Sequence, residues 1–152
     1  MQPIITFLAC LICFQPFACD RKNDITNNSN NSLDTSSMKI KITIGTNSFN
    51  TTLYNNATVT AFKTRLPLTI DMNELNGNEK YFDLPNSLPA KATNPGTIQT
   101  GDLMLYGANT LVLFYKTFST SYNYTRLARI DNPTGLADAL GSGNKIVKFE
   151  VE

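Results

Sequence analysis

Residues 38–44, MKIKITI, alternate strictly, with Met38, Ile40, Ile42 and Ile44 on one side and Lys39, Lys41 and Thr43 on the other. A period of two places the apolar set on the buried face of a half-exposed strand. Gly45-Thr46-Asn47-Ser48 supplies a turn, after which Phe49, Thr51 and Leu53 resume the alternation as a hairpin partner. The period then lengthens. Val59, Phe62 and Leu66 recur at helical spacing behind Asn55-Asn56-Ala57-Thr58. This predicts a short helix through Leu66, capped by Asn56 or Thr58 and ended by Pro67. Leu68, Ile70 and Met72 return to strand spacing. Asn76-Gly77-Asn78 predicts a tight hairpin turn into Glu79-Lys80-Tyr81-Phe82.

Residues 84–100 carry Pro85, Pro89, Pro95 and Gly96 and read as a long surface loop. Residues 101–118, GDLMLYGANTLVLFYKTF, hold two apolar runs on either side of the Gly107 turn, a pair of buried strands. Residues 124–130 form another strand, and NPTGLADAL a short helix stopped by Gly141-Ser142-Gly143. Val147, Phe149 and Val151 close the chain in alternation. The reading is mainly β, about eight strands with two short helices. The first and last strands are both well patterned, as the closing pair of a barrel must be.

The ends of the chain differ sharply in character. Residues 1–19, MQPIITFLACLICFQPFAC, carry no charge and hold all three cysteines, Cys10, Cys13 and Cys19. The run is too short, and too interrupted by Pro16, for a good membrane span. It is similar to a bacterial lipoprotein leader with Ala18 at the cleavage point and Cys19 lipidated; a plain secretory signal cut near Ala18 is the alternative. A buried Cys10-x-x-Cys13 redox pair is a further reading of the same spacing. Residues 20–37, DRKNDITNNSNNSLDTSS, have almost nothing to bury and read as a flexible tether. The domain therefore spans 38–152. A lipid on Cys19 would be its contact with the membrane, placing it in a bacterial cell envelope.

Charge and composition exclude several functions. Thirteen basic and 12 acidic residues give a net charge of +1, which offers no concentrated basic face for nucleic acid. Histidine is absent. Histidine-activated nucleophiles, imidazole acid–base chemistry near neutral pH and imidazole metal sites are excluded with it. No metal site or cofactor is implied, and a monomer is expected. GSGNK at 141–145 lacks phosphate-loop spacing and precedes a strand. Asp71, Glu74, Glu79 and Asp83 cluster around the Asn76-Gly77 turn and read as solubilising charge at a hairpin tip.

GDLMLYGANTLVLFYKTF, TSYNYTRLARIDNPTGLADALGSG and LPLTIDMNELNGNEKYF together resemble the bacterial cyclophilin-like domain family, over the whole of 38–152. The resemblance implies a closed eight-stranded barrel with helices covering its ends. It also places Phe114 on the pocket phenylalanine of the true cyclophilins. Their catalytic arginine has no counterpart in NEKYFDL, residues 78–84, and Val112 stands where they use glutamine. A groove lined by Phe82, Tyr106, Phe114 and Arg126 is the expected site. Arg126 is preferred over Arg129 because Tyr124, Arg126 and Ala128 share strand parity. The expected function is non-catalytic binding of a proline-containing peptide or small ligand; the alternative is a divergent peptidyl-prolyl isomerase.

Overall fold

The structure, a computed structural model, describes residues 38–152; the leader, Cys19 and the tether lie outside them. Eight strands form a closed barrel in the order β1 (Lys39–Ile44), β10 (Lys145–Val151), β3 (Leu68–Leu75), β4 (Glu79–Asp83), β7 (Thr110–Phe114), β6 (Asp102–Tyr106), β9 (Tyr124–Ile130), β2 (Asn47–Leu53). Every pairing in it is antiparallel. The first and last strands do pair, with Ile42 opposite Phe149. A separate two-stranded sheet, β5 (Thr97–Ile98) with β8 (Phe118–Ser119), lies outside this ring.

The alternation read from the sequence sets the interior. Ile40, Ile42, Ile44, Ile70, Met72, Val147 and Phe149 are buried in one cluster with Leu103, Leu105, Leu111 and Leu113. Helix α1 (Ala57–Lys63) sends Val59 and Phe62 into it, and the Phe62 ring meets Phe149 edge-on at 6.1 Å. Asn56 caps the helix, its Oδ1 accepting from the Val59 N–H at 2.9 Å. The helix ends at Lys63, short of the expected Leu66. Helix α2 (Leu136–Leu140) adds Leu136 and Leu140 to the core. It starts at Leu136 rather than Pro133, because Gly135 at φ 80° turns the chain immediately before it.

Residues 84–100 are not a plain surface loop. Leu84, Leu88 and Ile98 are buried, and Ile98 pairs with Phe118 in the small β5–β8 sheet. The chain then turns at Gly101 (φ 91°), where a Cβ would meet Ile130 Cβ at 3.1 Å and Pro133 Cβ at 3.2 Å. The Gly101 N–H donates to the Phe114 carbonyl at 2.8 Å, holding the start of β6 against the end of β7.

At the β3–β4 hairpin Asn76 and Gly77 both take positive φ, as a two-residue turn of this type requires. The charge beside it is structural. Lys80 has no exposure and points into the barrel. Its three protons meet Glu74 Oε2, the Gly141 carbonyl at 2.9 Å and the Gly143 carbonyl at 2.6 Å. The Tyr115 hydroxyl donates to Glu74 Oε1 at 2.7 Å. Burial would raise the Glu74 carboxyl, but the bonds from Lys80 and Tyr115 bring it below its ordinary value. Burial, together with that bond to Glu74, pushes the Tyr115 phenol up to about 12. Removing one member of such a buried pair leaves its partner uncompensated. Lys80→Ala should lower stability by about 3 kcal/mol in urea unfolding, with Glu74 and two carbonyls losing their donor.

Candidate functional site

In a closed barrel, residues of one parity face in and the others face out. On the wall β4–β7–β6–β9, Lys80, Leu113 and Leu103 face in, so Tyr81, Val112 and Met104 face out. The register lays the outward side chains in rows. Asp83, Thr110, Tyr106 and Tyr124 form one; Tyr81, Val112, Met104 and Arg126 form the next; Glu79 stands opposite Phe114 in a third.

Part of this outer face is covered. Met104, Val112, Phe114 and Tyr124 form a second buried cluster with Ile98, against which Phe118 packs. The Phe114 ring lies 5.8 Å from Phe118 and 5.5 Å from Tyr124, edge-on to the latter. The β5–β8 sheet is thus the lid of a small apolar layer outside the barrel.

The rest of the face is open. A cavity of about 420 Å³ lies over Val112 and Thr110, walled by Tyr81, Tyr106, Tyr122 and Tyr124 and rimmed by Glu79, Asp83 and the Leu75-Asn76 hairpin tip. Tyr106 is tilted against Tyr124 at 5.6 Å and edge-on to Tyr122 at 6.1 Å. Thr110 Oγ1 donates to Asp83 Oδ1 at 2.6 Å, fixing that carboxylate at the rim.

Glu79 is the unusual member. It is 9% exposed, and among the described residues its carboxylate has no hydrogen bond or ion pair. Burial, then the like charge of Glu74, holds its carboxyl above the ordinary value. Its charge in turn helps burial raise the phenols of Tyr124 and Tyr115.

Of the four residues expected to line one groove, Tyr106 alone lines this cavity. Phe114 is fully buried beneath the cover and supports Tyr124 from behind. Phe82 takes the inward parity, packs on the interior core and borders a separate hollow with Arg65 and Leu84. Arg126 faces outward beyond buried Met104 and lies 5.9 Å over the Tyr54 ring. It does not share a face with Ala128. A bulge between the pairs Leu103–Ala128 and Met104–Arg126 inserts Leu127 and turns Ala128 inward. The ion-pair partner of Asp102 is Arg129, at 3.9 Å, not Arg126.

From the sequence Glu79 reads as hairpin decoration, and nothing there singles out Tyr81, Tyr122 or Tyr124 from the other aromatics. The usable signal was register. Val112 on the outward face brings Tyr81 from β4 alongside it, and Thr110 does the same for Tyr106.

These features define a β-barrel with a pocket on its outer wall. Residues 42–151 match the cyclophilin-like family, and the chain belongs to it. The solution structure of a hypothetical protein from Archaeoglobus fulgidus shares the fold, with a TM-score of 0.53 and 20% identity, covering 78% of this chain and 97% of that one. No curated protein matches the sequence.

The Glu79 environment has a measurable sign. In the unfolded chain its carboxyl ionises near its ordinary value of 4.5, whereas in the folded protein it does so at higher pH. Between these values the folded state holds a proton that the unfolded state has lost, so this group's contribution to stability falls as pH rises. Glu79→Gln should melt higher than the parent protein at pH 7. That gain should disappear below about pH 4, as followed by circular dichroism.

Proposed function

We propose that this chain is an exported cyclophilin-like barrel that binds a peptide or small ligand in the tyrosine-walled cavity without isomerising it. The observation that carries this reading is the composition of the cavity wall. Among the described residues, the lining supplies phenols, two carboxylates and a valine floor, and no arginine or lysine. Prolyl isomerisation needs a donor held at the prolyl nitrogen to favour the twisted amide. Arg126, expected at the groove, lies over Tyr54 on the far side of Met104. Large aromatic walls with a few polar groups are, by contrast, what a ligand pocket uses to gain area and fix orientation.

The proposal that Cys19 carries a lipid rests on the uncharged leader and the polar stretch that follows it. An anchor of this kind, with an Asn/Ser-rich tether, would hold the barrel at a bacterial membrane surface as a monomer. Cys19→Ala should abolish incorporation of labelled palmitate and shift the protein from the membrane fraction to the soluble one. Labelling that persists in this variant would remove Cys19 as the lipidated residue.

Binding and catalysis separate in one NMR experiment on the full chain with an acetylated Ala-Ala-Pro-Phe amide. Titration should shift the Tyr106 and Tyr122 resonances without accelerating prolyl cis/trans exchange. Tyr106→Ala should weaken the interaction by about tenfold. Accelerated exchange that Arg126→Ala abolishes in a folded protein would establish the isomerase instead.

A further inference from the structure

Resting on the reading of this cavity as a binding site, we infer that its ligand presents an organic ammonium group, with Glu79 as counter-ion and the tyrosine rings as walls. Three independent observations lead to it.

The first is an unanswered charge. Glu79 is more than nine-tenths buried, lines the cavity and has no donor of its own among the described residues. A carboxylate largely shielded from water, with only the cavity before it and no donor of its own, gives up hydration that nothing in the protein replaces. The adjacent lysine cannot supply one. Lys80 points through the other face of β4, and its three protons are committed to Glu74, Gly141 and Gly143. Glu74 is likewise satisfied, by Lys80, Tyr115 and the Gly77 N–H. Of the hairpin's other charges, Glu74, Lys80 and Asp83 each have an opposite charge or a bond and Asp71 is exposed to water, so Glu79 alone is both buried and without a partner. Asp83, also on the cavity, keeps one oxygen free after bonding Thr110.

The second is aromatic surface that packing has not used. Tyr106 and Tyr122 are 46% and 61% exposed, yet they are held against each other and against Tyr124 at inclined ring angles. Four tyrosine rings line this one space, and aromatic walls of this kind attract a poorly hydrated cation.

The third is size and ligand count. A cavity of about 420 Å³ is far larger than a metal ion requires. Among the described residues no group of three or more acidic, histidine or cysteine side chains is placed to hold one. Two carboxylates and a ring of phenols instead suit a cation that carries its own apolar bulk, such as a substituted ammonium head or a lysine side chain.

The test uses choline and its uncharged isostere 3,3-dimethyl-1-butanol on the full chain, followed by tyrosine resonance shifts. Choline should bind at least about tenfold more tightly than the alcohol. Glu79→Gln should erase that preference, whereas Asp71→Asn, an exposed carboxylate off the cavity, should leave it intact. The folded state of Glu79→Gln is checked from its unperturbed interior methyl resonances. A lysine-containing peptide and its ε-acetylated form distinguish the source. A preference for the free amine with no choline binding would support the ammonium as a protein side chain. Equal binding of the charged and neutral members in both pairs would overturn the ammonium while leaving the cavity a binding site. A preference that survives in folded Glu79→Gln would overturn Glu79 as counter-ion. If no member of either pair shifts the tyrosines, the ammonium inference fails. The Ala-Ala-Pro-Phe titration then decides separately whether the binding reading stands.

Discussion

Strand β1 is hydrogen-bonded on both edges, to β2 on one side and to β10 on the other, and that double pairing closes the ring. An open sheet can leave one face wet and fray at its edges. A closed one has no free edge, and it sorts every regular strand position into inside or outside. The interior fills with branched aliphatic side chains and the Phe62–Phe149 pair. Each outward position is then available for cover or exposure. The chemistry of the outer wall follows from that division.

The outer face of β6 and β7 carries Met104, Val112 and Phe114, which in a closed barrel creates a second problem of burial. The structure meets it with residues 84–100 and 115–123, which carry the small β5–β8 sheet across Phe114 and Met104. The cover is shorter than the wall beneath it. Where it stops, Val112, Tyr106 and Tyr81 are left facing a cavity. The site is the uncovered remainder of an apolar face, so its walls are rigid strand positions rather than loop side chains. Tyr122, on the connection into β9, is the exception.

Two adjacent residues of β4 show how parity assigns charge. Lys80 turns inward and is neutralised at the barrel end by Glu74 and the carbonyls after α2. Glu79 turns outward onto the cavity and has no hydrogen bond or ion pair among the described residues. One step along a strand separates a saturated structural ion pair from an unsatisfied carboxylate. The sequence pair Glu79-Lys80 would suggest that the two neutralise each other. The pleat makes that impossible.

The amino-acid sequence by itself determined the elements and their closure. Strict alternation in β1 and β10 named the strands that would pair, Asn76-Gly77 named a hairpin, and Asn56 named a helix cap, because each is a local signal read over a few residues. The motifs of residues 101–118 and 124–143 carried the family. Tertiary structure decided how the outward face of β6 and β7 is covered, since Met104, Val112 and Phe114 make that face apolar too and weaken the contrast that a period of two gives elsewhere. It also decided the bulge at Leu127 that sends Arg126 away from Ala128, and the cover that hides Phe114. The burial of Glu79 belongs to the same class. A side chain's solvation is set by what crosses over it from elsewhere in the chain, and no spacing within its own strand records that.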